Sequence, residues 1–307
     1  MKSGRFLGSL LFLVAALASR LPGQDFEVRL KKAWATKFAD RTSIQAKMVI
    51  HHAHKSPNAI KSGGDDGDMH FSGESADVGL PFVAEIVNAA LPGEQSAVSD
   101  VKASEGSTSN VIVTGAWRLW FEHPSTTQTQ GAHNPFSPDN TNPDHSFEIH
   151  PVSQIEQDGV QASFVLIKNY TPYTADVAFP YFDKAKLTIK ASSSGISLRS
   201  KKLKYNYVGF GIELTHKPKK VSDGYIVLAK VLSGDGDEEA ASGERRMIFV
   251  DGTAAAAKIQ TAAAGDRFDV LGIPRINLNG VLALVAKHGT AQFDAQLPYE
   301  MIIVGVK

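Results

Sequence analysis

Between Ser43 and Ile50, the apolar Ile44, Ala46, Met48 and Ile50 alternate with Gln45, Lys47 and Val49. Successive strand side chains point to opposite faces, so this two-residue period predicts a half-buried strand. The same period recurs along the chain. Met69 and Phe71 oppose Asp68, His70 and Ser72, and Phe82, Ala84 and Ile86 oppose Val83, Glu85 and Val87. Ala185, Leu187 and Ile189 oppose Lys186, Thr188 and Lys190. Further strands are predicted over 110–122 (broken or bulged at Gly115), 146–152, 162–167, 196–199, 204–216, 225–232, 246–250, 267–271, 276–285 and 301–306. Gly, Pro, Asn and Ser clusters separate these runs, as turns require. Within 25–40, Val28, Leu30 and Trp34 suit either a short strand or a helical turn.

Helical signals are few. Thr253–Ala264 is alanine-rich and closed by Gly265, a composition of high helix propensity with a glycine stop. Gly93–Ser109 is small and polar, a loop or a weak helix. The expectation is an all-β (β-rich) chain built as two small barrels or sandwiches with one or two short helices. The Pro- and aromatic-rich stretch 170–183 marks a junction between a first domain at 25–169 and a second β-rich domain at 184–307. A long Thr-, Asn- and Pro-rich loop at 124–144 interrupts the first, and loops of that length are often functional.

Composition narrows the chemistry. Lys plus Arg equals Asp plus Glu at 32 each among 307 residues, so no global charge draws the chain to nucleic acid or anionic membranes. The absence of cysteine excludes disulfides, thiol nucleophiles and thiolate metal ligands. Lys2 and Arg5, the apolar run Phe6–Ala18 and the small residues Ala16 and Ala18 have the three-part form of a signal peptide. Residues 1–18 are read as that peptide, with cleavage as late as 24, so the protein is expected to be exported, periplasmic or extracellular. No later run reaches the roughly 18 apolar residues of a membrane helix, so no stable span is expected after cleavage.

Four segments occur in a telling order: Asp66-Gly67-Asp68-Met69-His70-Phe71, Val83-Ala84-Glu85-Ile86, Thr114-Gly115-Ala116-Trp117 and Glu148-Ile149-His150-Pro151. Together they resemble an OB-like β-barrel module of exported bacterial proteins, in which the corresponding pieces read D-G-D-x-H, V-x-E, G-x-W and E-[IL]-H-P. The similarity covers residues 43–156 and implies an OB-like barrel rather than an activity. The 124–144 insertion departs from the module's usual form.

Asp66, Asp68 and His70 place carboxylates and an imidazole at alternate positions, and Glu148 and His150 repeat that spacing. Brought together, the five would suit a divalent ion such as Zn²⁺ or Mn²⁺, with Glu85 as a base. No other cofactor is expected. The competing reading makes Asp66-Gly67-Asp68 a turn, and His70 with Glu148 a cross-strand pair that ties the barrel shut. His51, His52 and His54 read as a solvated strand end, and His123, His133 and His145 as exposed loop histidines. Trp117 and Phe121 share a face and could stack on sugars or bases. Lys184–Lys220 holds ten basic residues against the single acid Glu213. Lys201, Lys202 and Lys204 at its centre are candidate contacts for an anionic polymer such as a polysaccharide, although lysines also protect sheet edges. No G-x-S-x-G, H-E-x-x-H or P-loop sequence is present. The leading expectation is an exported, non-catalytic β-barrel binding or structural protein; the alternative is a metal-dependent hydrolase of the phosphodiesterase or nuclease type.

Overall fold

The computed structural model describes residues 25–60, 66–123, 127–132, 140–234 and 238–307. Residues 1–24, which include the stretch read as a signal peptide, His133 and much of the 124–144 loop therefore lie outside the described residues.

Strand β1 (Phe26–Lys31) leads into helix α1 (Lys32–Phe38). Strands β2 (Ser43–Ala53), β3 (Met69–Glu74) and β4 (Pro81–Ile86) precede helix α2 (Gln95–Ser104). Then come β5 (Val111–His123), β6 (Thr127–Thr129), β7 (His145–Ile155) and the short β8 (Asp158–Gly159). In the second half, β9 (Tyr173–Thr174), α3 (Ala175–Lys184), β10 (Lys186–Ala191) and β11 (Gly195–Ser200) precede β12 (Val208–Leu214), β13 (Lys219–Val221) and β14 (Gly224–Leu232). The chain ends with β15 (Arg245–Val250), α4 (Ala254–Ile259), β16 (Arg267–Ile276), α5 (Leu278–His288), β17 (Phe293–Gln296) and β18 (Tyr299–Val306).

Two rings of strands close. The first runs β2-β3-β4-β7-β5 and shuts because β4 lies parallel to β7, Val83 opposite Glu148. The second runs β12-β14-β15-β18-β16. This is the all-β, two-barrel architecture that the alternation predicts. Closure satisfies the strand edges that an open sheet leaves unpaired. A third sheet, β17-β10-β11-β1-β6, draws strands from both halves: β1 pairs antiparallel with β11, Phe26 opposite Ser200.

The alternating residues Ile44, Ala46, Met48 and Ile50 are all buried, and Phe82, Phe147 and Trp34 meet edge to face behind them. Gly115 sits at the predicted break, where the β5–β7 register shifts on both sides. A Cβ there would lie 2.4 Å from the Pro151 carbonyl oxygen and 2.7 Å from Ile149 Cγ2. Gly115→Ala is therefore expected to cost about 1–3 kcal/mol through forced backbone movement. Urea denaturation measures this, and an unchanged midpoint would show that the strands separate freely at that point.

Helices are more numerous than expected, and the physical reasons are local. α2 forms from the polar 93–109 stretch because Ala97, Val98 and Val101 supply a narrow buried stripe. The predicted strand 276–285 ends at Ile276; the Asn277 side chain accepts from Gly280 N at 3.0 Å and starts α5. Leu278, Val281 and Val285 then bury at helical spacing. The expected strand at 162–167 is instead a 3₁₀ turn, Gln161–Phe164. Thr253 caps α4 by accepting from Ala256 N, though the helix stops at Ile259. Among the described residues no helix is long and apolar enough to cross a membrane.

The barrels pack along β5 and β16. Val87 from the first and Leu271, Ile273 and Val304 from the second form one apolar contact with Tyr207. Next to it the fully buried Arg275 lies over the Trp117 ring at 3.6 Å. It donates to Glu300 Oε1 at 2.7 Å and to the carbonyls of Arg41 at 2.9 Å and Trp117 at 3.1 Å.

Candidate functional site

Phe71, Phe82, Ile149 and Leu119 fill the core of the first barrel. The strand period turns their neighbours to the outer wall. There stand His70 on β3, Glu85 on β4, Arg118 and Glu122 on β5, and Glu148 and His150 on β7. Pairing aligns them, since His70 lies opposite Glu85 and Arg118 opposite Glu148. Asp68 and Asp66 enter from the turn before β3, where Gly67 takes φ +78°, a backbone conformation natural to glycine. The second barrel covers this wall with Tyr207. Between the barrels a cleft of about 390 Å³ remains, floored by Asp66, Asp68, His70 and Glu85 and walled by Tyr170 and Tyr173.

Contacts within the floor are dense. His70 Nε2 pairs with Asp68 and lies 3.3 Å from Glu85 Oε1. Glu85 Oε2 lies 3.2 Å from His150 Nδ1, and His150 Nε2 lies 2.8 Å from the Tyr207 hydroxyl. Asn58 Nδ2 donates to Asp68 Oδ1 at 2.9 Å. Behind the floor, Arg118 donates to Glu148 at 2.5 Å, to Glu122 at 2.8 Å and to the Pro274 carbonyl at 3.0 Å. His145 Nε2 lies 2.9 Å from the other Glu148 oxygen.

These surroundings set the protonation states. Burial, with the charges of Asp68 and Glu85, pushes Asp66 up to about 7. Burial also opposes ionised Asp68, but hydrogen bonds from His70 and Asn58 outweigh it and hold Asp68 low. Glu85 is lowered too, because His150 and His70 overcome the cost of its burial. The imidazolium forms of His70 and His150 are disfavoured by burial, yet the Glu85 charge and the neighbouring carboxylates raise both. Glu148 sits well below its ordinary value, since Arg118 and the two histidines more than offset desolvation. Burial and the Asp66 charge raise Tyr207. The floor is thus a partly desolvated network in which the raised His70 and His150 offset the ionised Asp68 and Glu85, with the Arg118 guanidinium behind it.

The structure brings Asp66, Asp68, His70, Glu85, Glu148 and His150 into one cluster. Several expectations need correction. His70 does not tie to Glu148; it pairs with Asp68 and Glu85, while Glu148 is held by Arg118 and His145, with His150 Nδ1 at 3.4 Å. Glu148 therefore lies behind the floor, outside the two groups of ligand atoms that come within 4.8 Å of one another. His145 is fully buried at the start of β7, not an exposed loop histidine. His54 is no solvated strand end: its ring lies 4.9 Å from that of His70, and its Nδ1 accepts from His70 N. Trp117 and Phe121 share a face as alternation predicts, but both are fully buried and cannot stack on a ligand. The aromatic surface of the cleft comes instead from Tyr170, Tyr173, Tyr205 and Tyr207. Lys201, Lys202 and Lys204 are exposed in the segment leading to Tyr205. The other basic residues of 184–220 are divided among the end of α3, the β10–β11 hairpin and the β12–β13 region, so they form no single face.

No protein-family model matches the chain, and no curated protein matches it. Among solved structures it is similar to a murine DNA-binding protein bound with double-stranded DNA, at 10% identity and a TM-score of 0.19, covering 86% of this chain and 98% of that one. It is also similar to the Ifi202 HINa domain in complex with 20-bp double-stranded DNA, at 10% identity and a TM-score of 0.17, covering 86% and 99%. Superpositions this loose carry no ligand across; the two-barrel description rests on this chain's own strand pairing.

Proposed function

We propose that this chain is an exported binding protein that holds a hydroxyl-rich ligand, an acidic oligosaccharide, in the cleft between its barrels. The carrying observation is that Asn142 Oδ1 and Asn206 Oδ1 both belong to residues lining the cleft and have no hydrogen-bond partner among the described residues. Buried acceptors left unpaired are costly, and sugar hydroxyls are donors that would satisfy them. Tyrosine rings suit the apolar face of a sugar while their hydroxyls stay polar; Tyr173 is 47% exposed and has a face to offer. Lys201, Lys202 and Lys204 beside Tyr205 favour an acidic sugar over a neutral one. Calorimetry with a uronic-acid oligosaccharide is expected to show binding that weakens with salt. Tyr205→Ala or Asn206→Ala is expected to weaken it at least about tenfold, the equivalent of about 1.4 kcal/mol. No heat with any acidic or neutral saccharide would end this reading.

One observation favours the alternative, metal-dependent phosphodiester hydrolysis: Asp66, Asp68, His70, Glu85 and His150 converge at the base of an open cleft. Turnover of bis(p-nitrophenyl) phosphate with Mn²⁺ or Zn²⁺, lost in His70→Ala, would establish it. Turnover no greater than in His70→Ala would remove it.

A further inference from the structure

We infer that the floor of the cleft is a site for two divalent metal ions bridged by Glu85. Asp66 and His150 complete one subsite; Asp68 and His70 complete the other. The inference is independent of which organic ligand the cleft holds.

Two triads of ligand atoms, Asp66/Glu85/His150 and Asp68/His70/Glu85, each lie within 4.8 Å of one another. Glu85 is common to both, and its two oxygens are divided between them. Oε1 faces His70 at 3.3 Å, and Oε2 faces His150 at 3.2 Å. Metal–ligand bonds of 2.0–2.1 Å to N and O put the edge of a coordination tetrahedron at about 3.4 Å, so the two Glu85–histidine separations need little adjustment to admit an ion, while Asp68 and His70, now in direct hydrogen-bond contact, must part to do so. A carboxylate with one oxygen on each side is the geometry that holds two cations about 3.5–4 Å apart and screens their repulsion.

The surroundings of the ligands fit the same reading. A coordinating histidine commonly has its other ring nitrogen fixed by a hydrogen bond. His150 uses Nδ1 toward Glu85 and has Nε2 held 2.8 Å from the Tyr207 hydroxyl. Asp68 Oδ1 is fixed by Asn58 at 2.9 Å, which leaves Oδ2 beside His70. Charge points the same way. Asp66, Asp68 and Glu85 are all buried, and Arg118, the permanent cation nearby, is spent on Glu148 and Glu122. The compensation these carboxylates need comes from their contacts with His70 and His150, and divalent cations held by the same imidazoles would take it over. The ligand set of carboxylates and imidazoles, without thiolate, suits Mn²⁺ or Zn²⁺. Each subsite has three protein ligands, and Asp66, Asp68, His70 and Glu85 line the cleft, so its remaining positions open toward a bound molecule.

The test uses the secreted chain, stripped with chelator and titrated with MnCl₂ alone. Two Mn²⁺ per chain by metal analysis, with the electron paramagnetic resonance spectrum of a coupled pair, is the expected result. Asp66→Asn is expected to bind one ion and give an uncoupled six-line spectrum. Glu85→Gln is expected to weaken both ions at least a hundredfold while its circular dichroism remains that of the parent. One ion or none in the parent chain overturns the inference, whether or not the variants fold. Two ions retained by folded Glu85→Gln overturn it as well.

Discussion

Arg275→Met is expected to lower the unfolding free energy by about 3–5 kcal/mol, the usual cost of removing one partner from a buried ion pair. Arg275 and Glu300 are both fully buried, with Nε 2.7 Å from Oε1. The arginine also holds the carbonyls of Arg41 and Trp117, which belong to the first barrel, while Arg275 and Glu300 belong to the second. Methionine keeps much of the volume over Trp117 but removes the guanidinium donors to the Trp117 carbonyl and one Glu300 oxygen, and leaves the Arg41 carbonyl with the Trp117 indole N–H at 2.9 Å. Burial already lowers the Arg275 pKa, with Glu300 opposing that shift; the guanidinium still remains charged at any working pH. Arg246, 2.8 Å from the other Glu300 oxygen, limits the damage to that carboxylate. Arg275→Lys should fall between, since it retains a charge but cannot reach several acceptors at once. Thermal melts are expected to shift by about 5–8 °C for the methionine variant, scaled from the usual dependence on stability. A loss below about 1 kcal/mol would place this arginine among pairs that an apolar residue replaces at no cost.

The limits of the sequence show at the same place. Arg118 and Arg275 are single cations inside apolar runs, Trp117-Arg118-Leu119-Trp120 and Ile273-Pro274-Arg275-Ile276. A lone charge so placed signals a buried partner, whereas the aromatic residues on either side of Arg118 carry no such signal. Local alternation identifies which residues share a face, and it is borne out for Ile44 to Ile50. It is silent on what covers the opposite face. Trp117 and Phe121 lie with Leu119 on the inward face of β5 and are buried in the barrel core, while the second barrel covers the outer wall with Tyr207, and Tyr173 is the ring left exposed. The same limit explains the site. Residue types and period placed Asp68, His70, Glu85, Glu148 and His150 on outward faces. Which of them touch depends on β4 lying parallel to β7, a contact across more than sixty residues that carries no local signal. For that reason Tyr207 has no signal in the sequence, and His145 reads there as an exposed loop residue. The β1–β11 pairing is longer still, and Val28 and Leu30 alone could not distinguish strand from helix.

Arg118→Met is expected to destabilise the protein by about 3–5 kcal/mol as well, but with a different pattern of rescue. Its guanidinium serves Glu148, Glu122 and the Pro274 carbonyl from a fully buried position. Losing it leaves Glu148 with only histidine partners. Removing Glu148 instead, as Glu148→Gln, leaves Arg118 paired with Glu122, so the single loss should be smaller, about 1–3 kcal/mol. Combining Arg118→Met with Glu148→Gln removes the isolated negative charge, and the double variant is expected to be more stable than Arg118→Met alone. The non-additivity should reach about 1–3 kcal/mol, as for residues in direct contact. Chemical denaturation of the four proteins measures it. Additive losses would mean that Glu148 is held by His145 and His150 and not by Arg118. The cycle also separates the two layers of the site. Glu148 lies behind His150 and outside the proposed ligand triads, so Glu148→Gln should still bind two Mn²⁺, whereas Glu85→Gln should not. Parallel loss of metal in both variants would move Glu148 into the floor and dissolve the distinction between the residues that face the cleft and those that support them.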